Sequence, residues 1–320
     1  MTPSRAATGP EVAGFFRVGS DRLFGVLTPP REPATGTAVV VASGGGHHTS
    51  AHINRLAARL SRQVASSGHM GVRFDYHGVG ESTGDLTEYR LAEPFVDDLR
   101  GAIAWARQEG AHDIVLVGLC FGARTALAAA RNDAGVRGLV LVSLPLLDLR
   151  QGEGTAARRA GETGFWGYLR TGLRTEVLRR FLPPYSFRRQ ARVAWAHLRV
   201  GARTAAARGG NRVWGHPASG AQVSPGLLND LRAAVARRVP ILLAYGGIDP
   251  FLKQFRDAAE GPLAPFLEEA GDLIEVVSIP DEPRPYESVA GQERLLEAVD
   301  SWLAGLHEQR RRRPAPAVQP

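Results

Sequence analysis

Gly118-Leu119-Cys120-Phe121-Gly122 is the stretch whose reading decides the fold. It follows a short β-branched run, Asp113 to Gly118, and precedes an alanine-rich helical pattern, Ala123 to Ala130. A strand that feeds directly into a helix must turn sharply. The turn pushes the central side chain, here Cys120, out at the strand's end. Gly118 and Gly122 have no side chains, so strand and helix can approach closely there. The start of a helix favours negative charge, which would help a thiolate at Cys120. The plainer reading is a small buried residue in a tight turn, the commonest role of a lone cysteine.

Outward from this stretch the alternation continues. Phe15 to Val18 and Leu23 to Leu27 read as two opening strands joined at Ser20-Asp21. Ala38 to Ala42 is a buried strand that ends in Ser43-Gly44-Gly45-Gly46. Leu56, Leu60 and Val64 then mark one face of a helix. Val72 to Phe74 is a strand and Phe95 to Gln108 a helix with Leu99, Ile103 and Ala106 inward. Leu139 to Ser143, Ile241 to Tyr245 and Leu273 to Ile279 are further strands, and Leu295 to Leu306 is a closing helix. Strands alternating with helices give an α/β class with a mostly parallel sheet flanked by helices. The core is expected over 11–147 and 239–309. Residues 148–238 break the alternation and read as a helical, arginine-rich cap, with a loop at 208–224. Residues 310–320, four arginines and then Pro and Ala, read as a disordered tail.

The chain has 320 residues and a net charge of +7. Between Asp148 and Arg238 there are 17 Arg and 5 acidic residues, so the remainder is net negative. Such a local excess speaks of partners rather than fold. It suits an anionic substrate such as a coenzyme A thioester or an acidic carrier protein, or it is a solvated helical face. No nucleic-acid motif accompanies it. One cysteine excludes an intrachain disulfide and a cysteine zinc site, and no metal or other cofactor is expected. The apolar runs are strand-sized, so no membrane span is expected. Met1 to Pro10 lacks the pattern of a signal peptide, and a cytoplasmic location is the expectation.

The elbow around Cys120 is one of four features that recur in a known order. The others are Ser43-Gly44-Gly45-Gly46-His47, Arg73-Phe74-Asp75-Tyr76-His77-Gly78-Val79-Gly80-Glu81-Ser82 and Tyr245-Gly246-Gly247-Ile248-Asp249. With them the chain resembles the α/β-hydrolase superfamily from roughly Phe15 to Leu306. It is particularly similar to the group that includes hydrolases associated with exosortase systems. Cys at the elbow is similar to dienelactone hydrolases, whereas most members carry Ser. The resemblance implies a nucleophile at Cys120 and an oxyanion hole. One hole donor would be the N–H of Phe121 and the other an N–H from Gly44, Gly45, Gly46 or His47. Such donors typically supply about 3 kcal/mol each. The alternative for the glycines is a flexible loop.

The resemblance also places a triad acid at Asp249, with Asp148 as the alternative. Asp249 equally suits the cap of a helix with Pro250 at its first position. The family's histidine should follow Ile279-Pro280, but that segment reads Asp281-Glu282-Pro283-Arg284-Pro285-Tyr286-Glu287. Arg284 is nearest the expected place, and it cannot act as a base. Three explanations stand. A histidine after another strand, His47 or His48 ahead of His77, takes the role, and His112 and His307 lie on the wrong elements. Or Cys120 works as a thiolate helped by Arg284, which suits thioesters and favours acyl transfer or cyclisation over hydrolysis. Or the chain is a binding or assisting module on an enzyme scaffold.

Overall fold

The computed structural model describes residues 10–44, 48–85, 90–148 and 223–312, with side chains through 308. Most of the cap expected at 148–238, the tail beyond 312, and Gly45, Gly46 and His47 lie outside the described residues. Eight strands form one sheet: β1 (Val12–Val18), β2 (Asp21–Thr28), β3 (Thr37–Ala42), β4 (Met70–Phe74), β5 (Asp113–Leu119), β6 (Val136–Val142), β7 (Ile241–Gly246) and β8 (Ile274–Ile279). Their order is β1-β2-β4-β3-β5-β6-β7-β8. β1 and β2 form an antiparallel hairpin, with Val18 opposite Asp21 and Gly19 at φ 58° in the turn. Positive φ is what a tight hairpin turn demands, and glycine supplies it without strain. β2 is antiparallel to β4, and all later neighbours are parallel.

β3 and β4 are buried on both faces, as is all but the amino-terminal edge of β5 and β6. That explains why they read as continuous apolar runs rather than as alternation. One face is covered by α1 (Leu56–Ser66) and, at the chain's end, by a helix spanning Val289–Arg312. The other carries α2 (Val96–Gln108), α3 (Phe121–Ala130) and α4 (Pro225–Ala236). α5 (Pro250–Ala259) and α6 (Ala264–Ala270) link β7 to β8, and Val289–Arg312 is α7.

Two boundaries differ from the sequence reading. α4 packs on α3 within the compact unit that holds the sheet, which resumes at Gln222, so the core returns earlier than 239. Apolar spacing announces a helix but not what the helix lies against. α7 starts at Val289, which is exposed, and runs through the arginines to Arg312. Its first turn faces inward with Gly291 and Gln292, which give no apolar signal in the sequence.

From β3 the chain steps to β4 on one side and then to β5 on the other. Such a reversal leaves a crevice at the carboxyl ends of the two diverging strands, where ligands of open α/β sheets bind. The segment after β3 and Cys120 after β5 both open onto it. No helix among the described residues is long and apolar enough to cross a membrane.

Candidate active site

Cys120 sits between β5 and α3 at φ 53°, ψ −108°. A non-glycine residue in that region is strained and is held there only by its surroundings. Its N–H donates to Val142 O (2.8 Å), and its own carbonyl accepts from Ala123 N–H (3.0 Å). The flanking glycines have a steric reason. A Cβ on Gly118 would lie 2.3 Å from Gly122 O, and one on Gly122 would lie 2.1 Å from Ala42 O. The residue as a whole is half-buried, while its thiol is surrounded by protein atoms.

The segment after β3 is tied down from β4. Ser50 N–H donates to a carboxylate oxygen of Asp75, and Tyr76 Oη donates to Ser43 O (3.3 Å). Glu81 N–H reaches the other Asp75 oxygen at 3.4 Å. The motif around Asp75 thus serves as a brace between the two loops. Tyr76, Phe95 and Phe121 pack edge to face beneath the elbow, with ring centroids 5.0 to 6.1 Å apart. Gly44 lies beside the turn: a Cβ there would be 2.7 Å from Leu119 O and 3.4 Å from Cys120 Cβ.

Asp249 follows β7 and is 2% exposed. Oδ1 accepts the N–H of Phe251 (2.9 Å), capping α5, and Oδ2 accepts the hydroxyl of Ser143 (2.6 Å). Burial pushes its carboxyl up, while Ser143, the Phe251 amide and Arg284 draw it back and Glu287 adds to the rise; the net is above the ordinary value. The cap and the approach to Arg284 coexist. Asp148 is differently committed: Arg124 Nη2, buried, pairs with it at 2.5 Å and also donates to Ser224 Oγ at 3.0 Å. The alternative acid is therefore part of the clamp that holds α4 to α3.

Arg284 stands where the imidazole was expected. Its charge acts on both Cys120 and Asp249. Nη1 pairs with Glu287 Oε1 (3.1 Å), and the guanidinium carbon lies 5.7 Å from the centre of the Phe251 ring. Burial opposes its charge, yet Tyr286, Cys120, Glu287 and Asp249 raise its pKa above the usual value. It stays charged.

One expectation is corrected here. The start of α3 and Arg284 were to favour a thiolate. Burial instead pushes the Cys120 thiol up; Arg284 and the Phe121 amide pull it back, Asp249 pushes again, and Tyr286 pulls it back in part. The net is upward, because the desolvation penalty on a buried anion exceeds what one cation and two donors return. The resting group is a thiol. Its alkylation rate should accordingly rise with pH through a midpoint above the ordinary thiol value of about 8.5. Arg284→Gln removes a cation that favours the anion, so the midpoint moves higher still and alkylation at pH 8 slows several-fold. A stopped series of iodoacetamide labelling against pH reads both, and a midpoint below that of a free thiol would contradict the account.

Three contacts were not foreseen. Tyr286, buried, lies near enough to the sulfur to pull the thiol's pKa back in part, and burial keeps its own proton bound well above the ordinary range. Ser143, itself at φ 50°, holds Asp249. His52 brings Nε2 to 3.4 Å from the same point beside Gly44 that lies 3.4 Å from Cys120 Cβ. Only the aromatic two residues beyond Arg284 left a trace in the sequence. His48, half-buried, meets His52 with ring centroids 4.8 Å apart. His77 is engaged elsewhere: its N–H and Nδ1 lie 2.9 and 2.7 Å from one Asp98 oxygen. His307 stacks on His69 (4.7 Å) beside a groove of about 910 Å³ at the amino end of the strands, the far edge from Cys120.

The family model described as "Alpha/beta hydrolase family" matches residues 39–313. The chain belongs to that family. Solved structures similar to it include a proline iminopeptidase of Mycobacterium smegmatis (16% identity, 92% of this chain and 98% of that one, TM-score 0.56). Another is the esterase Pf2001 of Pyrococcus furiosus (15%, 92% of each chain, 0.57). A third is Est1E of Butyrivibrio proteoclasticus with ferulic acid bound (14%, 92% and 100%, 0.55). At these identities the likeness is one of fold. No curated protein matches the chain significantly.

Proposed function

We propose that this α/β hydrolase acts on activated acyl groups, thioesters above all, by accepting the acyl group on Cys120 and passing it on. The observation that carries the reading is the strained turn that holds Cys120 out at the crevice, braced by glycines whose Cβ atoms could not fit. A protein that needed only a small apolar residue there would have no reason to hold it at positive φ. The amide of Phe121 and those of the Gly44–Gly46 stretch are the proposed oxyanion donors. Arg284 replaces the imidazole that would deprotonate water. A thiol leaving group needs little protonation and a thiol acceptor little deprotonation, so transfer is favoured over hydrolysis. The arginine excess between 148 and 238 supports an anionic acyl donor, coenzyme A or a carrier protein, in a cytoplasmic setting.

Intact mass after incubation with a panel of acyl thioesters tests this. The expected product is one acyl adduct on the native chain and none on Cys120→Ala. An adduct that survives the substitution overturns the assignment. The raised thiol supports a second reading, a binding or assisting module that kept the fold and lost turnover. It predicts tight binding of an acyl ligand with no adduct.

A further inference from the structure

The thiol at Cys120 must lose its proton to react, and neither Arg284 nor Tyr286 is able to take it. His52 lies on the other side of the sulfur-bearing residue from Asp249, since it arrives from β3 whereas Asp249 arrives from β7. Its Nε2 and Cys120 Cβ are equidistant, at 3.4 Å, from the point where a side chain on Gly44 would start. The ring is buried and stands edge-on to Tyr286, centroids 5.4 Å apart at 88°. Its backbone is at φ 60°, ψ −176°, a region that belongs almost wholly to glycine. Asn54 and Arg55 follow at φ 49° and 60°. Three strained residues in four shape the segment that carries the imidazole, and Asn54 Nδ2 anchors it to Glu287 O at 3.1 Å.

We propose that His52 is the imidazole of this site, relocated from the segment after β8 to the segment after β3, where it takes the proton of Cys120. This rests on Cys120 as the acyl acceptor. In the first half, the S–H proton passes to His52 Nε2, directly or through one water. Sγ bonds to the acyl carbon, the C–S bond of the donor breaks, and the departing thiolate takes the proton from the imidazolium. In the second half, an acceptor thiol gives its proton to His52 and bonds the acyl carbon. The C–Sγ bond breaks, and the proton returns to Cys120. Gly44 is then fixed by more than the oxyanion role, because a methyl group there would come within 3.4 Å of both His52 Nε2 and Cys120 Cβ.

Two variants and two readouts test it. His52→Gln removes the base while keeping a polar side chain, and His52→Gly removes it while relieving the backbone. The first readout is alkylation of Cys120 against pH, which needs no acyl substrate. Both variants are expected to react at least tenfold more slowly between pH 6 and 8, the range in which a neutral imidazole relays the proton of the thiol, and to converge on the native rate above the thiol's own midpoint. The second is urea denaturation. His52→Gly is expected to be at least as stable as the native chain, so that reactivity and stability move in opposite directions. A purely structural histidine would lose both together. Alkylation profiles identical to native in both variants overturn the proposal. Absence of any acyl adduct on the native chain, with the alkylation effect present, would overturn the acyl-transfer reading and leave the His52–Cys120 pair standing.

Discussion

Histidine in place of Arg284 is expected to give the acyl-enzyme a route to water, raising its hydrolysis about 10²-fold, the lower end of what a positioned base contributes. The reasoning is local. Position 284 already feels both Cys120 and Asp249, and Asp249 has Ser143 and the α5 amide to hold it in place. A neutral imidazole there would have a carboxylate behind it to fix its tautomer and support the charged form. Loading the variant with an acyl group and following loss of the adduct by mass against time gives the rate. The same exchange removes the cation that favours the thiolate, so loading itself should slow. Two opposite changes, slower acylation and faster deacylation, are the signature. Deacylation at the native rate would mean that Arg284 does not occupy the imidazole's position in any useful orientation.

Alanine at Gly122 should be among the most damaging single methyl groups at the described glycines. Its Cβ would lie 2.1 Å from Ala42 O and 2.6 Å from Ser43 O, both backbone atoms at the end of β3. Neither can swing aside as a side-chain tip would, so the elbow and β3 must separate. Overpacking of a core typically costs about 1–3 kcal/mol, and a clash with the backbone of a central strand belongs at or beyond the upper end. Against a total stability of roughly 5–15 kcal/mol this is a large share. Gly305 in α7, with nothing within 4 Å of its Cβ position, is the control. Alanine there should stabilise by up to about 1 kcal/mol through helix propensity. Urea denaturation of the two variants measures the difference, and equal midpoints would refute the steric account of the elbow.

How much of this was legible follows from which property each feature depends on. The strands were legible because burial on both faces writes itself as runs such as Val39-Val40-Val41. The start of β6 was not: Arg137 is exposed and pairs with Asp113 at 2.8 Å, so a polar residue opens a buried strand. α3 begins at Phe121 rather than Ala123, because the helix takes over directly from the strained residue. The placement of Cys120, Asp249 and Arg284 near one another was legible, since each follows a strand end and strand order fixes where those ends meet. Ser143 and His52 are themselves at positive φ, and no local pattern announces that in a non-glycine residue.

Gln292, fully buried near the start of α7, gives its side-chain N–H groups to Ile53 O and Tyr286 O, both at 3.0 Å, and receives one from Arg59 at 2.8 Å. One amide thus stitches the neighbour of His52 to the tyrosine beside the sulfur. The two jaws that close on Cys120 therefore share a hinge pin. A shift of the last helix at Gln292 would reach both at once.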